Sequence, residues 1–114
     1  MPPASLDRLH HILERLGMVR DLLGETTFDT LWDDPTRRAA LERHLEVISE
    51  ASRAVPAEWT SAYPEIPWRR IGDLGNVLRH AYHQTSGPIL EQICQNDLGP
   101  LQAAVAAMLA AKSS

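Results

Sequence analysis

Apolar residues recur three and four positions apart along most of this chain, the spacing that gathers them on one side of a helix. Leu6, Leu9, Ile12, Leu13, Leu16, Val19 and Leu23 form the first stripe. It predicts a helix that starts with Ser5 as N-cap, runs to Leu23 and stops at Gly24. Leu41, Leu45, Ile48 and Ala51 form the next stripe. Asp34-Pro35 ahead of it reads as N-cap and first helical residue, so a second helix is expected from Pro35 to Val55. A short piece around Thr27 to Trp32 lies between the two. After Val55, the stretch PAEWTSAYPEIPW carries three prolines and is expected to be a structured connector. Pro67-Trp68 then opens a third helix, which the pattern carries to Tyr82. Ser86-Gly87-Pro88 is expected to interrupt the chain and cap a fourth, from Pro88 to Asp97. Gly99-Pro100 is expected to kink or break the chain before a last helix from Pro100 to Ala111.

No Asn-Gly or Asp-Gly turn separates two alternating runs, so no hairpin is predicted. Ala and Leu together number 29 and Val and Ile 11. That balance favours helix, where unbranched side chains keep their rotamer freedom. The 114 residues fit one domain, residues 1–114, around a single core. The expected fold class is therefore all-α, an antiparallel bundle of about five helices with no sheet.

Charge changes the picture only locally. The net charge is −4, which does not advertise a nucleic-acid binder. Yet the window from Arg69 to Leu90 holds three arginines, two histidines and only one acid, Asp73. An acidic body thus carries one basic stretch. No apolar run reaches the ~18 residues of a membrane span, and the first residues lack the pattern of a signal peptide. With a single cysteine, Cys94, no internal disulfide can form. A cytoplasmic location is expected. No Cys/His cluster has zinc spacing, and no metal or other cofactor is expected.

At 100° per residue, Ile71, Leu74, Val77, Leu78 and Ala81 share the core face of the third helix. Arg69, Asp73, Asn76, His80 and His83 form a second, polar stripe. Such a stripe combines a residue that titrates near neutrality with hydrogen-bonding partners, as an acid–base site requires. It also fits a wet face or a dimer contact. Elsewhere the signals are ordinary. His10 and Glu14 read as an exposed pair and His44 as peripheral. Cys94 reads as a small core residue, Asp33-Asp34 as a helix cap, and Trp32, Trp59 and Trp68 as packing anchors.

The stretch YPEIPWRRIGDLGNVLRHAYHQ, Tyr63 to Gln84, closely resembles the HepT family of toxin ribonucleases, within the wider HEPN superfamily. LWDDPTRRAALERHLEVISEASRAVP, Leu31 to Pro56, is similar to the family's second helix and its approach. DLGPLQAAVAAML, Asp97 to Leu109, resembles its usual ending. The resemblance implies a helical bundle that forms a homodimer, with the catalytic motifs of both subunits lining a cleft at their interface. It also implies a partner, a small nucleotidyltransferase antitoxin of the MntA type. That partner blocks the toxin by adding AMP to a tyrosine beside the catalytic histidine, which here is Tyr82.

The family motif is an arginine, four to six residues, a histidine, one residue and a tyrosine. His80-Ala81-Tyr82 matches its second half. Where the arginine is expected, five residues before His80, this chain has Gly75. Arg79 follows Gly75 by one turn, and helical side chains lean toward the N-terminus. Arg79 is therefore placed to lay its guanidinium over the space that Gly75 leaves open. Either it stands in for the missing arginine or catalysis has been lost.

The implied reaction is metal-independent RNA cleavage through attack of the ribose 2′-hydroxyl on the adjacent phosphorus. His80 would act as acid or base and an arginine would stabilise the charged transition state. Asn76 and Asp73 would orient the imidazole or the substrate. Arg69, Arg70 and His83 would bind phosphate. The other reading is a HEPN-type binding module that, with Gly75, no longer cleaves but holds a nucleotidyltransferase partner or a nucleotide.

Overall fold

The structure is a computed structural model that describes the backbone of residues 3–80 and 83–113 and the side chains of residues 4–79 and 87–113. Among the described residues every regular element is helical: α1 (Pro3–Gly24), α2 (Phe28–Asp33), α3 (Pro35–Arg53), α4 (Ala57–Thr60), α5 (Trp68–Gly72), α6 (Leu74–His80), α7 (His83–Asn96) and α8 (Leu98–Ser113). The predicted all-α class holds, and each of the five expected helical regions is helical, the third of them in two pieces.

α1 lies at the centre, packed along α3 on one side and α8 on the other. α3 in turn backs α5 and α6, and α8 backs α7. Leu9, Ile12, Leu16 and Val19 of α1 meet Leu41, Leu45 and Ile48 of α3 and Leu101, Val105 and Met108 of α8 in one core. Asp34 caps α3 as expected, accepting from the Thr36 and Arg37 amides, with Pro35 in the first turn. Thr27 caps α2 through the Thr30 amide. The proline-rich connector contains α4, whose Trp59 is buried. The Lys112 ammonium sits 5.2 Å from the Trp59 ring centroid, which ties this connector to the last turn of α8.

Several expected boundaries are corrected. Ser5 does not cap α1. The helix already begins at Pro3, and Ser5 is buried within it. The predicted fourth helix starts earlier, at His83, with Pro88 inside it. Gly87 packs under α2 there, and a Cβ on it would lie 3.0 Å from Trp32 Nε1. The last helix also starts early, at Leu98, and the break falls at Asp97 rather than at Gly99-Pro100. A proline ring disturbs the carbonyl four residues before it, which for Pro100 is that of Asn96. Pro100 itself sits in the first turn of α8, where its missing N–H costs nothing.

The third predicted helix, continuous from Pro67 to Tyr82 in the sequence pattern, is broken at Asp73 into α5 and α6. The cause comes from outside it. Ser49 of α3 is fully buried. Its hydroxyl donates to the Gly72 carbonyl at 2.9 Å and accepts from the Gly75 amide at 3.2 Å. A side-chain hydroxyl has thus entered the i→i−4 ladder, a recognised source of helix breaks. The Asn76 amide, displaced from Gly72, bonds the Asp73 carbonyl at 3.0 Å.

Candidate active site

α6 carries the residues that the sequence pattern singled out, and its neighbours set its place. The connector before α5 is fixed by the Trp68 Nε1 bond to the Tyr63 carbonyl (3.0 Å) and by the Ile66 amide bond to the same carbonyl (3.1 Å). α5 and α6 then lie close against α3 because small residues face each other. A Cβ on Gly72 would lie 2.8 Å from Arg53 Cγ, so glycine lets α3 approach. Ile71 and Leu74 are fully buried, while Val77 and Leu78 are only half-buried. The expected core face is therefore complete at the start of α6 and open toward its end. Ala81 lies outside the described residues.

Two flanks of α6 present different surfaces. On the α3 side the Arg79 guanidinium folds back over Gly75. A Cβ at position 75 would stand 3.2 Å from Arg79 Nη1 and 3.7 Å from Cζ. The same guanidinium donates from Nη2 to Asn76 Oδ1 at 2.7 Å. Leu78 and Arg79, with Glu42, Arg43 and Glu46 of α3, line a small cleft. The Arg43–Glu46 pair there closes at 2.6 Å. Asn76 and Arg79 thus form one polar unit in the turn that ends at His80, the last residue of α6.

The α7 side is an open groove of about 620 Å³ lined by Pro67, Arg69, Arg70, Asp73, Leu74, Val77, Ile89 and Ile93. Ile89 is 45% exposed, high for a large apolar side chain. Arg70 is committed within the fold. Its Nε and Nη2 reach both carboxylate oxygens of the buried Asp97, at 2.6–3.0 Å. Arg69 is exposed and makes no ion pair among the described residues.

The described members of the expected polar stripe, Arg69, Asp73 and Asn76, are therefore divided. Arg69, Arg70 and Asp73 face the groove, whereas Asn76 and Arg79 form their own contact. The side chains of His80 and His83, and Tyr82 altogether, lie outside the described residues. The one feature that sequence reasoning missed is Ser49. A serine next to Ile48 on a helix edge reads as filler. The signal available was the pair Gly72 and Gly75, three apart in a helical pattern, which marks a close approach by something else.

Other polar groups are settled structurally. His44 is half-buried, and Arg15 Nη1 reaches its Nδ1 at 3.1 Å. Burial, and then the Arg15 charge, hold its pKa below the usual histidine value. Burial, and then Glu91, push the Cys94 thiol up to about 12. That makes it an inert packing group. His10 and Glu14 are exposed. Among the described residues no cluster of His, Cys, Asp or Glu could hold a metal ion, and no helix is long and apolar enough to cross a membrane.

A family model, ribonuclease HepT-like, matches residues 12–108. The chain belongs to the HepT-like ribonuclease family. It is 30% identical over 102 residues to a Thermococcus cleftensis protein named probable ribonuclease HepT, covering 90% of this chain and 93% of that protein. It is 33% identical over 88 residues to a Methanocaldococcus jannaschii protein that carries a provisional RNase name, covering 77% of this chain and 73% of that one. A Caldanaerobacter subterraneus protein with a similar provisional name is 26% identical over 101 residues, 89% of this chain and 90% of its own length. No solved structure gives a significant match. Within this HepT-like chain, the guanidinium that lies over Gly75 belongs to Arg79.

Proposed function

We propose that this HepT-like chain is a metal-independent endoribonuclease, the toxin of a toxin–antitoxin pair, with His80 as its proton carrier and Arg79 as its phosphate-stabilising cation. The observation that carries the reading is the Arg79 guanidinium over Gly75, bonded to Asn76 in the turn that leads to His80.

The RNA supplies the nucleophile. Its 2′-oxygen attacks the adjacent phosphorus, the P–O5′ bond breaks, and a 2′,3′-cyclic phosphate and a 5′-hydroxyl result. One proton leaves the 2′-hydroxyl and one reaches the departing 5′-oxygen. His80 handles one of these transfers, since an imidazole exchanges protons near neutral pH. Charge that builds on the non-bridging oxygens needs a donor already in place. Arg79 provides it, because its bond to Asn76 holds the guanidinium before substrate arrives. Asp73 and Arg69, on the groove side, would orient the flanking RNA. Arg70 is less available for phosphate, because its donors are shared with Asp97.

The partners belong to the same proposal. The open apolar groove with its exposed Ile89 supports a homodimer that covers this face. An MntA-type nucleotidyltransferase would silence the toxin by AMP transfer to Tyr82. The cytoplasm is the matching location.

Gly75 favours a second reading, a HEPN-type module that binds the partner or a nucleotide without cleaving. Incubation of the purified, partner-free protein with RNA in EDTA, beside His80→Ala, separates the two. Cleavage by the wild type that disappears in the variant supports the nuclease. Equal, background cleavage by both folded proteins, with Tyr82 shown free of AMP, leaves the binding module.

A further inference from the structure

The hydroxyl of Ser49 stands where two helices would otherwise be one. In an uninterrupted helix the Gly72 carbonyl would accept from the Asn76 amide and the Gly75 amide would donate to the Ile71 carbonyl. Neither bond is made. Ser49 instead donates to Gly72 and accepts from Gly75, both within hydrogen-bond distance. Both backbone groups belong to buried residues, so a partner is obligatory for them. A hydroxyl, donor and acceptor at once, meets both needs with one atom.

This bond fixes where α6 begins. The Gly75 amide is held on the α3 side, and the Arg79 guanidinium packs against the same glycine, 3.2 Å from the place of a Cβ. Asn76, whose amide takes the Asp73 carbonyl as a result of the break, presents its Oδ1 to that guanidinium. From Ser49 to Arg79 the path is therefore one residue, Gly75, with Asn76 beside it.

We infer that Ser49 is a positioning residue of the active site, whose hydroxyl sets the start of α6 and thereby holds Arg79 and Asn76 in register for the RNA phosphate. The inference rests on the nuclease reading for its catalytic consequence. It goes beyond that reading in assigning a function to a buried serine on another helix.

A built-in control lies one turn away. Ser52, on the same helix and also buried, has a hydroxyl with no hydrogen-bond partner among the described residues. Ser49→Ala and Ser52→Ala are thus the same substitution in nearly the same place, with and without the bonds.

The experiment compares both variants with the wild type at a temperature where all are folded by circular dichroism. Ser49→Ala is expected to lower kcat for RNA cleavage by ten- to about a hundredfold, the cost of a displacement on the order of 1 Å at a reacting group, with KM little changed. Ser52→Ala is expected to cleave like the wild type. In an Arg79→Ala background, Ser49→Ala should cost little more, because a residue acting through Arg79 has nothing left to position. Equal kcat in the two serine variants, or a full additional loss in the Arg79→Ala background, would overturn the inference. Should Ser49→Ala fail to fold, Ser49→Cys, which keeps a weaker donor and acceptor, takes its place with an intermediate loss expected.

Amide hydrogen exchange gives a readout independent of cleavage. Ser49→Ala should speed exchange at Gly75, Asn76 and Arg79 and leave α8 unchanged, while Ser52→Ala leaves all of them unchanged. If the wild type cleaves no RNA, the nuclease reading fails and exchange still decides whether Ser49 holds α6. Unchanged exchange at Gly75 in Ser49→Ala would refute the positioning itself.

Discussion

α3 does two different jobs along its length. Its apolar stripe, Leu41, Leu45 and Ile48, is fully buried in the main core, where shape and area matter and no donor needs an acceptor. Its neighbouring edge, at Ser49, meets α5 and α6 through a hydroxyl and two glycines. The first surface holds the protein together. The second determines where a helix of seven residues begins, and with it the cation beside the proposed site. Stability and geometry are thus carried by adjacent faces of one helix and should respond separately to substitution.

The largest expected effect is on the apolar face. Leu45→Ala removes a fully buried side chain and should cost about 2–5 kcal/mol of stability, measured by urea unfolding. Its kcat per folded molecule should stay near the wild-type value. A catalytic loss as large as that of Ser49→Ala would erase the distinction between the two faces.

On the polar face, Arg79→Ala should lower kcat by about a hundredfold, on the order of 3 kcal/mol of transition-state stabilisation, with unfolding hardly shifted, since the side chain is exposed. Gly75→Arg sharpens this. The atoms nearest its Cβ would be those of the flexible end of Arg79, which can give way, so the variant should fold. It should add little to the wild type but restore much of the activity lost in Arg79→Ala. A large gain in the wild-type background would mean that Arg79 does not fill the arginine's place.

Arg70→Ala probes an ion pair that joins α5 to the α7–α8 junction. Asp97 would be left buried with its carboxylate unpaired. The partner arginine is more than half exposed, so water can reach part of the gap, and the expected loss is about 1.5 kcal/mol. Arg70→Ala with unchanged stability but strongly weakened RNA binding would instead return Arg70 to the phosphate-binding set.

The division between the two faces also explains what could be read from the sequence. Leu41, Leu45 and Ile48 repeat with helical period, so α3 and the core were legible. Asp34-Pro35 states its cap in two residues. The return of Arg79 over Gly75 was legible too, because helical side chains lean N-terminally and the lean needs only local geometry. The break at Asp73 was not. It depends on a serine more than twenty residues away, and no periodicity within Pro67–Tyr82 encodes that contact. The alignment of Arg69 and Asp73 with Asn76 in one stripe depended on an unbroken helix, and the break at Asp73 sets the first two on the groove and Asn76 on Arg79. The early starts of α7 and α8 were missed for a different reason. Pro88 and Pro100 read as the first residues of their helices, whereas each helix begins before its proline.

The smallest effect concerns pH, and it separates the two faces again. Arg15 can only donate, so the bond at His44 Nδ1 (3.1 Å) requires a neutral ring that accepts there. Burial and the Arg15 charge both lower the His44 pKa in the folded state. The unfolded chain, with its histidine near pKa 6.5, therefore takes up a proton first as pH falls. The contribution of this neutral histidine is present above about pH 6.5 and is lost as pH drops from there through the lowered folded value. The wild-type Tm should fall over this window, and the fall should be shallower in His44→Gln, which keeps an acceptor but cannot titrate. The pH profile of RNA cleavage should not differ between the two, since the proposed proton carrier is His80 and His44 contacts α1. Parallel Tm curves would show that His44 is not held neutral. A displaced activity profile would show that the core face of α3 and the site are coupled after all.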